Sequence, residues 1–338
     1  MRNRSSRLTA ALRTTAPVLA FLAGTLPYGL STAQAQVTGY GLGTAYGQGT
    51  AAGGHVARVS VARPPAEADA HRRLRALERS FGGRIGAYAL DTGTGRTIAY
   101  RAGERFPLLS TFKALAAAAV LHKARTTSPG LMERVVHWRR GDLKPNSPVT
   151  EKHVKDGLTV AGLCEAAVTR SDNTAGNLLL RQIGGPAGLT GYLRALGDPV
   201  SRLDRWESEL NDWSPGERRD TTTPAAVAGD LRAVVLGDAL VAEDRARLEG
   251  WLRANRTGGA RIRAGLPKGW VVGDKTGSGS AYGAADDIAV VRPSGSAAPL
   301  VMAVYTTRRA SGAPYEEKVV AETATVLARA LGRLPASR

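Results

Sequence analysis

Phe106-Pro107-Leu108-Leu109-Ser110-Thr111-Phe112-Lys113 runs directly into Ala114–Leu121, an uncharged stretch of Ala, Leu and Val. A run of that kind reads as a buried helix with the Ser-x-x-Lys segment at its start. The i, i+3 spacing puts the Ser110 hydroxyl and the Lys113 amine on one face. A serine hydroxyl is a weak nucleophile until a base takes its proton, and a lysine of depressed pKa can do so. Backbone N–H groups at a helix N-terminus also favour developing negative charge. By itself the pair is an ordinary feature of surface helices. It is joined, in chain order, by Ser171-Asp172-Asn173 at the start of another helical stretch and by Lys275-Thr276-Gly277 at the end of a strand. Between these, Glu207-Ser208-Glu209-Leu210-Asn211 lies in a polar, proline-bearing loop. Independent motifs coinciding in this way point to a catalytic constellation.

Working outward, Ala66–Arg79 reads as a helix, and Gly83–Asp91 and Arg96–Arg101 read as strands joined by the turn Thr92-Gly93-Thr94-Gly95. Towards the far end, Trp270–Lys275, Asp287–Arg292 and Leu300–Thr307 read as strands, followed by a helix over Tyr315–Leu331. Between them, helical patterns cover Leu109–Arg125, Val160–Thr169, Thr174–Gln182, Ala187–Ala195, Pro224–Leu236 and Ala242–Ala254. Strands at both ends with helices between predict an α+β (α/β-class) fold. One antiparallel five-stranded sheet is completed by the two chain ends, with flanking helices and an all-helical lobe inserted. The expected boundaries are a domain over 66–335, with the sheet lobe in about 66–104 and 260–335 and the helical lobe in about 105–259. The cleft between the lobes is the expected site.

The first 35 residues carry Arg2, Arg4, Arg7 and Arg13, then a largely apolar Ala16–Leu30, then Ala33-Gln34-Ala35. This predicts a signal peptide cleaved near Ala35 and a secreted protein. Pro17, Gly24, Pro27 and Gly29 interrupt the apolar run, which argues against a membrane anchor. Residues 36–65, rich in Gly, Ala and Thr, read as a flexible linker. The net charge of +17 suggests nucleic-acid binding, but the basic residues are scattered and aromatics make up only 5%. A soluble Arg-rich protein that binds no nucleic acid is the better reading. The lone Cys164 sits in an apolar stretch and reads as a small buried hydrophobe. His55, His71, His122, His137 and His153 show no metal-ligand spacing, so neither a metal nor another cofactor is expected.

The motifs, together with Ser147–His153 (Ser-Pro-Val-Thr-Glu-Lys-His), Thr169–Thr174 and Asp204–Glu207, resemble the class A serine β-lactamases from about Ala66 to Leu331. The resemblance implies opening of β-lactam antibiotics through an acyl-enzyme on Ser110, with Lys113 accepting or relaying a proton. Ser171 would pass a proton to the leaving nitrogen, and Asn173 would bind the acylamide side chain. Lys275 and Thr276, with Gly277 beside them, would hold the substrate carboxylate. Glu207 and Asn211 would orient the hydrolytic water, and the backbone N–H groups of Ser110 and Ser278 would form the oxyanion hole. Arg205 and Asp220 would clamp the Glu207 loop. Arg261 matches a position where some members carry an arginine that meets the substrate carboxylate in a bidentate fork. Whether Glu207 or Lys113 starts acylation stays open, and the expected state is a monomer.

Three departures bear on substrate preference. Ser208 stands where proline often follows the loop glutamate at a cis bond, so a softer or differently shaped loop is expected. Ser280-Ala281-Tyr282 is one residue longer than usual, and Asn146 replaces an entrance aromatic. The rivals are a penicillin-binding DD-peptidase, which would lack the deacylating glutamate, and a non-hydrolytic β-lactam sensor of the same fold.

Overall fold

The computed structural model describes residues 65–295 and 298–335. The signal-peptide and linker readings therefore lie outside the described residues, except that Pro65 already belongs to the first helix, α1 (Pro65–Phe81). Strands β1 (Gly83–Asp91) and β2 (Thr97–Tyr100) form a hairpin. Next come β3 (Phe106–Pro107) and α2 (Phe112–Thr126), then the short pair β4 (Val135–Val136) and β5 (Leu158–Thr159). Helices α3 (Val160–Thr169), α4 (Asn173–Gln182) and α5 (Gly185–Ala195) follow. After a long loop come β6 (Thr221–Thr222), α6 (Pro224–Val235) and α7 (Ala242–Arg253). The chain closes with β7 (Val271–Gly279), β8 (Ala284–Arg292), β9 (Leu300–Arg308) and α8 (Glu317–Ala330).

The five long strands form one antiparallel sheet in the order β2-β1-β9-β8-β7. The two chain ends therefore meet at β1 and β9, as the sequence pattern predicts. Both faces of the sheet are covered. Ile85, Ala87, Met302 and Val304 belong to a core shared with α1 and α8. Val301, Ala303, Tyr305, Ile288 and Val290 belong to the core of the helical lobe. That is why β9 reads as a near-continuous apolar run instead of alternating.

Helix α2 runs through the middle of this lobe. Every residue from Phe112 to Leu121 is buried, so no polar face is needed and Ala dominates where neighbouring helices approach. Its neighbours have explicit start signals. The side chains of Thr159, Asp172 and Thr223 accept the N–H groups of Gly162, Ala175 and Ala226 at the starts of α3, α4 and α6. Pro224 occupies the first turn of α6, where its missing N–H costs nothing.

Two strand boundaries differ from the sequence reading by three residues or more. Lys275-Thr276-Gly277 lies inside β7, which continues to Gly279. Strand β8 starts at Ala284, three residues before the expected Asp287, because Asp286 and Asp287 are buried strand residues.

Candidate active site

Ser110 sits in a single 3-10 turn, Leu109–Thr111, that leads into α2, so the motif enters the helix through a tighter turn than expected. Leu109 adopts a left-handed φ of 44°, which turns the chain out of β3. Lys113 lies below Ser110, and its Nζ is 2.9 Å from Ser110 Oγ. It also donates to Ser171 O at 2.9 Å and to Asn173 Oδ1 at 2.6 Å, and it stands 2.9 Å from Glu207 Oε1. Ser110 Oγ reaches the same Glu207 oxygen at 3.3 Å. Lys113 and Glu207 are both fully buried. Burial pushes the Lys113 amine below the ordinary lysine range, against the opposing pull of Glu207.

The Ser171–Asn173 turn is held by Asp172. Its Oδ1 accepts from Ala175 N and Thr150 Oγ1, and its Oδ2 accepts from the N–H groups of Val149 and Thr150. Ser171 is thereby fixed at φ 55°. Its hydroxyl accepts from Lys275 Nζ at 3.1 Å and lies 3.5 Å from Lys113 Nζ. Asn173 Nδ2 donates to Pro145 O, which fixes the amide orientation.

Strand β7 forms the opposite wall. Gly277 is required by proximity: a Cβ there would stand 2.9 Å from Leu109 Cβ and 3.3 Å from Ser110 N. Lys275 is fully buried and its amine lies well below the lysine range. Burial is the main cause, followed by the charges of Lys113 and Arg261. Thr276 Oγ1 shares a hydrogen bond with Thr257 Oγ1.

Arg261 reaches the cleft but is only 2% exposed. Its Nε meets Glu317 at 3.0 Å, Nη1 donates to Gly277 O and Asp286 O, and Nη2 donates to Ser278 Oγ at 2.6 Å. Of five N–H groups, one on Nη2 remains, so the expected bidentate fork is corrected to a single available donor.

The loop carrying Glu207 is fastened at its root. Asp220, at φ 54°, accepts from the N–H groups of Asp204 and Arg205 and from Arg205 Nε at 2.6 Å. Its carbonyl accepts from Leu108 N at 2.7 Å, tying the loop to the residues just before the nucleophile. Asn177 brackets Glu207 from α4, accepting from Glu207 N and donating to Glu207 O, each at 2.9 Å. Asn211 Nδ2 donates to Glu207 Oε2 at 2.7 Å. The Glu207–Ser208 bond is cis with serine in place of proline, so the bond form associated with proline at this place is kept.

Ser110, Ser171, Asn173, Asn211, Arg261, Thr276 and Ser278 thus line one cleft of about 360 Å³, with Lys113, Glu207 and Lys275 fully buried behind it, and the clamp pair secures the Glu207 loop. Asn146, Thr257, Tyr315 and Glu317 complete the lining. Asn177 was missed by sequence reasoning, although its place one helical turn after Asn173 was the available signal. A larger hollow of about 690 Å³ beside α6 holds no serine–lysine pair, so size does not locate the chemistry. Cys164 is fully buried, and burial raises its thiol pKa. Among the described residues no group of three or more His, Cys, Asp or Glu is placed to hold a metal ion.

A serine hydrogen-bonded to a buried lysine of lowered pKa, beside a buried glutamate and opposite a second buried lysine on β7, defines a serine acyl-transfer hydrolase. Comparison with known proteins makes this specific. A family described as "Beta-lactamase enzyme family" matches residues 69–331. The chain is 54% identical to Beta-lactamase AST-1 of Nocardia asteroides, over 77% of this chain and 83% of that one. It is 50% identical to the carbapenem-hydrolyzing beta-lactamase KPC of Klebsiella oxytoca, over 76% and 87%. The crystal structure of a beta-lactamase from Streptosporangium roseum is 69% identical, with TM-score 0.78, over 79% of this chain and all of that one. A class A beta-lactamase reconstructed as the last common ancestor of Gram-negative bacteria is 53% identical, with TM-score 0.74, over 78% and 99%. The chain belongs to the β-lactamase enzyme family. It is a class A serine β-lactamase and hydrolyses β-lactams.

Proposed function

We propose that hydrolysis proceeds through an ester on Ser110, carried by one observation: Ser110 Oγ lies within hydrogen-bond reach of both Lys113 Nζ and Glu207 Oε1. The Ser110 proton passes to the Lys113–Glu207 pair as Oγ attacks the lactam carbonyl carbon. The backbone N–H groups of Ser110 and Ser278 receive the developing oxyanion, a contact typically worth ~10²–10³ in rate per donor. When the C–N bond breaks, Ser171 Oγ gives its proton to the nitrogen and is resupplied from the adjoining Lys113 and Lys275 amines. Lys275, Thr276 and the one free N–H of Arg261 hold the substrate carboxylate, and Asn173 orients the acylamide group.

In the second half, Glu207 takes a proton from water held between its carboxylate and Asn211, whose Oδ1 has no protein partner. Water oxygen bonds to the ester carbon, the bond to Oγ breaks, and the proton returns to Ser110. The deacylating glutamate distinguishes this reading from a DD-peptidase or a sensor. The consequence for a host is resistance to β-lactam antibiotics. We further propose that the enzyme is exported after cleavage near Ala35, which N-terminal sequencing of exported protein checks. A monomer is proposed because one chain supplies every site residue.

Steady-state hydrolysis of a chromogenic cephalosporin tests the nucleophile. Ser110→Ala is expected to lose at least ~10³-fold in kcat while keeping the wild-type melting temperature within a few degrees. Retained turnover would remove Ser110 from the mechanism.

A further inference from the structure

The backbone of the segment carrying Asn211 is hydrogen-bonded mainly within itself, while its Leu210 side chain is buried in the core of the helical lobe. Leu210 N donates to Trp206 O, Asn211 N and Nδ2 to Ser208 O, Asp212 N to Glu209 O and Trp213 N to Asn211 O. These bonds set its shape but not its distance from the wall opposite. What reaches across is the ring of Trp213, which is 4% exposed and meets the ring of Tyr282 edge to face, with centroids 5.8 Å apart and planes at 82°. Trp213 Nε1 has no hydrogen-bond partner, so the ring is placed by packing alone.

Tyr282 is itself unusually fixed. It lies in the turn between β7 and β8 at φ 53°, ψ 29°, a left-handed conformation that a tyrosine rarely adopts. Its N–H donates to Ser311 O at 2.8 Å. Next to it, Gly283 packs so closely that a Cβ would meet Arg308 and the carbonyls of Ala313 and Pro314 at 2.7–2.8 Å. The turn is thus anchored to the end of β9 and the chain after it, and it adds a contact from β7–β8 to a loop that is also held by Asp220 at its root, by Asn177 at Glu207 and by Leu210 in the core.

We propose that Tyr282 is a positioning residue for deacylation: through Trp213 it holds Asn211 and Glu207 in register with the ester on Ser110. The proposal rests on the role given to Glu207 above. The contacts run from the Tyr282 ring to the Trp213 ring, from Trp213 N to Asn211 O, and from Asn211 Nδ2 to Glu207 Oε2. Acylation needs Ser110, Lys113 and Ser171, and it uses Glu207 through Oε1, which Ser110 and Lys113 meet directly, whereas the Trp213 contact reaches Glu207 only through Asn211 and Oε2. Hydrolysis of the ester needs a water placed between Glu207 and Asn211. An aromatic pair of this geometry is worth about two- to tenfold in an equilibrium between held and released loop. Losing it should therefore slow the second step and leave the first within about twofold.

The test measures acylation by stopped flow and decay of the Ser110 adduct by quenched intact-mass spectrometry, with benzylpenicillin, in Tyr282→Ala, Tyr282→Leu and Tyr282→Phe. Glu207→Gln serves as the reference. The expected result is an adduct that decays about two- to tenfold more slowly in the Ala and Leu variants, with acylation within twofold of wild type. Phenylalanine, which keeps the ring, should restore the wild-type rate. Wild-type decay in the Ala and Leu variants would overturn the proposal, as would equal losses in both steps or a Phe variant as slow as Ala. If Glu207→Gln forms no lasting adduct, the assignment of Glu207 falls and this proposal falls with it.

Discussion

Asp220→Asn isolates the charge of the loop clamp, because asparagine tolerates the left-handed backbone of residue 220 nearly as well as aspartate. The wild-type carboxylate is buried and accepts three N–H groups, two from the backbone of Asp204 and Arg205 and one from Arg205 Nε. Asparagine can still serve the backbone donors through its single oxygen. It then turns an NH₂ towards Arg205 Nε, replacing an attraction with two opposed donors. Breaking a buried pair from one side costs about 3–5 kcal/mol. The Arg205 side chain keeps 19% exposure, so water recovers part of that, and about 2–4 kcal/mol remains. At about 2–4 °C per kcal/mol for a domain of this size, the melting temperature should fall by about 5–15 °C. Differential scanning calorimetry at neutral pH reads this directly. A fall of less than about 2 °C would mean that the clamp contributes little and that the Glu207 loop is held by its other contacts.

Asp230, buried in α6, is pushed up to about 9 by burial first and then by the neighbouring Asp198, against a weaker opposing pull from Arg194. The folded protein then binds a proton there that the unfolded chain has lost, so this group's contribution to stability declines from the unfolded carboxyl range up to about pH 9. Asp230→Asn should remove that decline, and urea unfolding should show its advantage over wild type growing by at most ~1.4 kcal/mol per pH unit between pH 6 and 8. A constant difference across that range would refute the assignment. Arg261→Ala should raise KM about tenfold or more while kcat falls far less, since a carboxylate contact made in ground and transition states is uniform binding. An unchanged KM would leave the arginine with the structural role that its bonds to Gly277, Asp286 and Ser278 already give it.

The elements legible in the sequence were those whose periodicity agreed with local capping. Helix Val160–Thr169 follows the cap at Thr159, and β1 matches its predicted span because its apolar residues are bounded by glycine and the Thr-Gly turn. The start of β8 was hidden because Asp286, next to Asp287, looks like a loop residue. Burial pushes both carboxyls far above their usual range, and each accepts a backbone N–H, Asp286 from Thr306 and Asp287 from Ile262. The catalytic residues were legible because their motifs are local. What holds them was not, since the Asn177 bracket, the four engaged N–H groups of Arg261 and the Trp213–Tyr282 contact join positions far apart in the chain. No sequence pattern records whether the donors of an arginine are already in use.

The central claim is that one glutamate separates rapid release from permanent acylation. Glu207→Gln keeps shape and hydrogen bonding at a fully buried position while removing the base, a change worth ~10²–10⁴ in rate. Mixed with benzylpenicillin and followed by intact-mass spectrometry, this variant should accumulate a stoichiometric adduct on Ser110. Under the same conditions wild type should show hydrolysed product and little adduct, and Ser110→Ala neither. Turnover by Glu207→Gln at the wild-type rate, without adduct, would contradict the account.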